Sequence, residues 1–145
     1  MKSFAFGLEK VLNLRKYRED EAKVELGRAI GILTELESRL RSLAFERASA
    51  AAAQFSPGNS IAVMQQYMFY LFRLDSLKEQ LLREAALAEM EVEKARNVFI
   101  ETSRERKILD KFKEKRQNEY HKDMLNEETK ILDEISSGAP ARQSI

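Results

Sequence analysis

The chain has no cysteine, no tryptophan, one histidine, two prolines and five glycines among its 145 residues. Without cysteine there is neither a disulfide framework nor thiol chemistry. The lone histidine, His121, has no second ligand of its kind and belongs to no Ser/His/Asp set, and no glycine-rich phosphate loop is present. The sequence therefore predicts no enzyme, no metal and no cofactor. Long apolar runs are also missing: none approaches the ~18–20 residues of a membrane span. Lys2, Glu9 and Lys10 interrupt the first ten residues, which do not read as a secretory signal. An excess of either charge is lacking too. The 25 Lys+Arg against 24 Asp+Glu leave a net charge of +1, which argues against global attraction to nucleic acid or to anionic lipid.

What is abundant is charge of both signs, 34% of the chain, above the ~25% of ordinary globular sequences. Few helix breakers and many mixed charges describe long helices with a narrow apolar stripe. The stripe is visible. Alternating steps of four and three from Leu8 give Leu8, Leu12, Arg15, Glu19, Ala22, Leu26, Ala29, Leu33, Leu36, Leu40 and Leu43. Only Arg15 and Glu19 are polar, so this reads as the seam of a left-handed coiled coil. A second seam runs Tyr67, Leu71, Leu74, Lys78, Leu81, Ala85, Ala88, Val92, Ala95, Phe99. Its small residues suit the leucines of the first.

Between the seams lies the strong interior turn signal, Ser56-Pro57-Gly58-Asn59-Ser60. A short turn between long helices favours an antiparallel hairpin. The expected fold is all-α: one coiled-coil domain over 1–145, a two-helix antiparallel hairpin with the second helix the longer. Its helices cover about 4–54 and about 61–136, the turn 55–60, and a flexible tail 137–145. Folding at about Gly58 places Leu36 near Glu79–Leu81 and Leu8 near Lys107–Leu109, where the seam ends. Residues from about 111 to 136 are then expected to project without a partner in the chain, a spur of roughly 40 Å.

Two stretches exceed what a seam needs. From Arg104 to Lys122 there are eight Lys/Arg against four Asp/Glu, and 123–135 carry five acids against Lys130. Such blocks ordinarily form a solvated helix face, and that reading stands beside one in which the stretch docks an acidic partner. The interspersed Ile108, Phe112, Tyr120, Met124 and Leu132 favour protein over nucleic acid. The second stretch is the apolar run Tyr67 to Phe72 after the turn, which wraps past the ~100° that one helix partner covers. Either the aromatics pack locally against Phe45 and Phe55, or they form an exposed patch for another protein.

The opening Phe4-x-Phe6-x-Leu8-Glu9-Lys10-Val11-Leu12-x-Leu14-Arg15-Lys16-Tyr17-x-Glu19-Asp20-Glu21-Ala22-Lys23 resembles that of the FliJ family, stalk proteins of the bacterial flagellar type III export ATPase. Gln66-Tyr67-x-x-Tyr70-x-x-x-Leu74 is similar to the aromatic start of the family's second helix. Glu105-Arg106-Lys107-x-Leu109-x-Lys111 through Glu119-Tyr120, closing on Asp133-Glu134-Ile135, is similar to its charged C-terminal run. The resemblance spans nearly the whole chain. It implies a non-enzymatic stalk and adaptor for flagellum biogenesis, motility and chemotaxis, cytoplasmic and peripheral to the membrane at the flagellar base, without insertion into it. The implied partners are a hexameric export ATPase, a membrane export gate and export substrate chaperones. The positions that correspond to gate contacts are Leu43, Tyr67, Tyr70, Leu74, Leu77 and Leu81. Those that correspond to the ATPase-docking ends are Leu8, Leu12, Arg15, Lys107, Lys111, Lys113, Lys115 and Tyr120. On the first helix, Glu46 and the small residues Ala48 to Ala53 depart from the tyrosine or glutamine usual in the family. Two further readings stand beside this one: a dedicated export-chaperone-binding protein, and a generic coiled-coil spacer that dimerises.

Overall fold

The computed structural model describes residues 3–143, with side chains as far as Gly138. Two helices account for almost all of them, α1 (Glu9–Gln54) and α2 (Ile61–Gln143), with no strand among the described residues. The expected all-α hairpin, second helix the longer, is the observed fold.

The ends of the helices follow from local chemistry. Glu9 places a carboxylate in the first turn of α1, where the helix dipole favours it. At the other end Gly58 adopts φ +90°, a conformation that a side chain would strain. The Asn59 amide then folds back to donate to the carbonyls of Ala53 (2.9 Å) and Gln54 (3.1 Å), two of the orphan acceptors closing α1. Ser60 starts α2 as its N-cap, its Oγ accepting from the Val63 amide at 3.2 Å.

Contacts divide the chain into two compact units, one of Asp20–Glu101 and one of Met1–Glu19 with Thr102–Ile145. In the first unit the two seams meet as predicted. Leu36, Leu43, Leu74, Leu81, Ala85 and Ala88 form the buried core, with Leu33, Leu40 and Tyr70 half-buried against it. Ala22, Ala29, Ala50 and Val92 are buried as well. Each leucine shielded this way contributes about 1.5–3 kcal/mol relative to exposure, and the alanines opposite let the backbones approach.

The second unit departs from expectation in three places. The seam does not end at Leu109. Residues 3–8 lie outside α1 and reach along α2 as far as Tyr120, with Phe4 and Tyr120 5.6 Å apart and Phe6 and Phe112 5.7 Å apart. A non-helical segment spans up to about twice the length of a helix per residue, so six residues cover what four helical turns would otherwise leave bare. The uncovered part of α2 thus shrinks from 111–136 to 125–137, every residue of which is exposed.

Arg15 and Glu19, the polar positions of the first seam, pair with α2 in a register offset from the expected one. Arg15 Nη1 donates to the Glu105 carbonyl (2.9 Å) and Arg106 Nε to Glu19 (3.0 Å). These pairs lie further along α2 than a fold about Gly58 predicts, and Lys113 with Glu9 shows the same displacement.

The third difference is the helix end. α2 continues to Gln143, so residues 137–143 are helix and not tail; residues 144–145 lie outside the described ones. Gly138 keeps negative φ and forms no left-handed cap. The Ser137 hydroxyl donates to the Asp133 carbonyl at 2.6 Å, satisfying a helical acceptor without ending the helix.

Candidate functional site

In the unit Asp20–Glu101 the start of α2 sorts its apolar run between core and solvent. Tyr67, Tyr70 and Leu71 are half-buried, while Met68, Phe69 and Phe72 point outward, Phe69 at 68% and Phe72 at 73% exposure. Phe45, Phe55 and Ile61 are exposed too, so the aromatics do not tuck against one another. The alternative of local packing is excluded, because one partner helix covers only one stripe. The result is an apolar surface around the start of α2.

Polar contacts fix its edge. The Tyr70 hydroxyl donates to the Glu46 carboxylate, and the Arg73 guanidinium sits 5.6 Å from the Tyr70 ring centre. The hydrogen bond to Glu46, then burial, raises the phenol's pKa. Arg47 grips Asp75 through both guanidinium edges, Nε to Oδ1 at 2.5 Å and Nη2 to Oδ2 at 3.3 Å. This holds the Asp75 carboxyl below its ordinary range.

The six residues that correspond to gate contacts divide on burial. Leu43, Leu74 and Leu81 are core, within 5–7% exposure, and can meet a partner only if the hairpin opens. Tyr67 and Tyr70 are half-buried and Leu77 is exposed. Phe69 and Phe72, which the sequence flagged as part of an apolar run, offer more open surface than any of the six. Their signal was the run itself: two residues in it had to fall off the seam.

The other unit is held by aromatic and ionic clasps. Leu12 is completely buried and Leu109 nearly so. Lys113 Nζ reaches Glu9 at 2.9 Å. Arg106 bridges Asp110 (2.6 Å) and Glu19, both hydrogen bonds raising its pKa. The Arg116 guanidinium covers the Phe112 ring at 5.2 Å, and the His121 ring lies 5.8 Å from that of Tyr120. A crevice of about 580 Å³ remains between residues 4–8 and α2, lined by Phe4, Phe6, Phe112, Arg116 and Tyr120 among others.

Of the residues that correspond to ATPase contacts, Leu12 is core, Arg15, Lys113 and Tyr120 are engaged within the unit, and Leu8, Lys107, Lys111 and Lys115 are exposed. Lys111, Lys115 and Lys122 line one shallow depression on α2. Among the described residues no cluster of three or more His, Asp and Glu is placed to hold a metal ion, and no helix is long and apolar enough to cross a membrane.

Fold and surfaces together define a two-helix coiled-coil hairpin that displays charged and apolar groups on its helix faces. Residues 4–144 match the family model described as flagellar FliJ protein, and the chain belongs to that family, which makes it a component associated with flagellar protein export. No curated protein matches it. Among solved structures it is similar to a chain described as a YscO homologue from Chlamydia trachomatis, with TM-score 0.63 and 20% identity over 93% of this chain and 94% of that one. At that identity the likeness concerns the fold.

Proposed function

We propose that the protein is a non-enzymatic stalk and adaptor that docks in a hexameric flagellar export ATPase and couples it to the membrane export gate from the cytoplasmic side. The observation that carries this reading is the exposed lysine row Lys107, Lys111 and Lys115 on α2. In a family of flagellar export components, a cationic helix face supplies long-range attraction and orientation toward a partner surface that carries acidic groups. The apolar surface of Phe69, Phe72 and Leu77 supports a second contact of a different kind. Exposed aromatics desolvated in a partner's pocket are typical anchors of protein interfaces, and we assign this one to the gate. Export substrate chaperones are a further partner class for the same apolar surface.

The test is ATP hydrolysis by the export ATPase with wild-type chain and with Lys107→Glu/Lys111→Glu/Lys115→Glu. The wild type stimulates turnover; the triple variant, its helicity unchanged, loses most of that stimulation at low salt, and added salt, which screens the charges, narrows the difference between the two. Full stimulation by the triple variant would remove the ATPase role from this face.

A further inference from the structure

The hairpin tip of the unit Asp20–Glu101 belongs to neither of the contacts proposed above. Between Arg47 and Arg73 no residue is charged, the longest such interval in a chain that is 34% charged. The interval holds the end of α1, the turn and the start of α2. At its apex Phe55 and Ile61, on either side of the turn, are 72% and 77% exposed, and Pro57 and Gly58 between them are exposed too. Phe69 and Phe72 lie about 12 and 16 Å back along α2 from Ile61, on the flank assigned to the gate.

The polar groups of the turn are spent on the turn itself. The Asn59 side chain donates to the Ala53 and Gln54 carbonyls. The Ser56 amide donates to the Ala53 carbonyl at 3.2 Å and the Asn59 amide to the Ser56 carbonyl at 3.3 Å. The Ser60 hydroxyl accepts from the Val63 amide, and Pro57 has no amide hydrogen to satisfy. Burying a polar group is costly only when it is left unpaired, so this turn loses little on entering an apolar medium. These features choose between two kinds of occupant. A protein pocket reads its ligand through directional polar contacts, roughly one hydrogen bond per 100–200 Å², and the apex turns those groups inward. A lipid surface asks for apolar area without charge and without unpaired polar groups, which is what the apex presents. The side chains further back keep the same order. Gln65 and Gln66 are exposed about 6–8 Å behind Ile61, and Arg73, the first charge on α2, is exposed about 18 Å behind it.

We infer that the tip is a membrane-surface anchor: Phe55 and Ile61 wedge into the boundary between the headgroups and the acyl chains of a phospholipid leaflet. Gln65 and Gln66 then lie among the headgroups, and Arg73 stays in water. The wedge is shallow, roughly the 5–10 Å of other interfacial elements. It is not a span, since no helix among the described residues is long and apolar enough for one, and it departs from the expected lack of insertion only by the depth of two side chains. Two side chains give a weak, reversible hold. Apolar area drives it, so salt does not release it. The contact uses neither the lysine row nor Phe69 and Phe72, and it stands or falls independently of the ATPase and gate roles.

The chain has no tryptophan, which makes the test clean. Phe55→Trp places a single reporter at the apex, and Val24→Trp, at a position 69% exposed on α1, is the matching control. With phosphatidylcholine vesicles at millimolar lipid, the emission of Phe55→Trp shifts to the blue and is quenched by brominated acyl chains, at low and at high salt alike. Val24→Trp shows neither effect. Adding Ile61→Ser to Phe55→Trp weakens the apparent lipid affinity roughly tenfold. The wild-type chain floats with the same vesicles, and Phe55→Ser/Ile61→Ser, its helicity unchanged, does not. Absence of shift and quenching at the apex overturns the inference, and is the result expected if a protein pocket takes the tip instead. Equal quenching of the control overturns it as well, as does vesicle binding that high salt abolishes.

Discussion

The unit Asp20–Glu101 and the unit that joins the N-terminal residues to the end of α2 use the same two helices but different cement. In the first, leucines and alanines at heptad spacing form a continuous apolar core. In the second the core shrinks to Leu12 and Leu109, and ring pairs and guanidinium clasps take over. Apolar seams stabilise through area removed from water, whereas exposed ion pairs contribute about 0–1 kcal/mol and weaken with salt. One unit is therefore held chiefly by apolar burial and shows its exposed aromatics beside that core, whereas the other is held by clasps and keeps exposed lysines at its surface.

The comparison breaks most sharply at the seam. Leu81→Ala or Leu74→Ala removes a buried side chain from a core only two helices thick, and each costs about 2–4 kcal/mol in urea unfolding. Phe4→Ala with Phe6→Ala, in the other unit, costs about 1–3 kcal/mol. Its signature is local: amide exchange speeds up over 110–124 and stays unchanged over 20–101. Uniformly faster exchange would show that residues 3–8 support the whole chain.

The smallest effect is a pH dependence. Arg47 depresses the folded-state pKa of Asp75 below its ordinary 3.8, so the folded chain binds fewer protons here than the unfolded one. The stabilisation is complete above about pH 4–5 and is lost as pH falls through the depressed folded value. Accordingly, the stability gap between wild type and Asp75→Asn narrows on acidification. A gap that stays constant from pH 6 to pH 3 would mean the clasp is electrostatically idle.

The seams were legible because burial on a long helix leaves a 3.5-residue imprint, and every seam position from Ala22 to Leu43 is buried or half-buried. The clasping N-terminal segment was only hinted at by the alternation Phe4-Ala5-Phe6. Heptad arithmetic assumes helix against helix and has no place for a non-helical segment that spans more length per residue. Arg15 and Glu19 read as interruptions for a related reason, since periodicity counts apolar atoms and is blind to polar partners on the other helix. The docking residues were the least legible. Leu74 and Leu81 share residue type and helix with Leu77, and only the burial of each side chain separates core from surface.

Two surfaces of different chemistry, one cationic and one aromatic, should recognise different partners. The direct measurement is binding of Phe69→Ala/Phe72→Ala and of Lys107→Glu/Lys111→Glu/Lys115→Glu to the export ATPase and, separately, to the cytoplasmic part of the export gate. The account predicts a double dissociation: the aromatic variant loses the gate and keeps the ATPase, and the charge variant does the reverse. If each variant lost both partners, or neither lost either, the assignment of separate surfaces to separate partners would be contradicted.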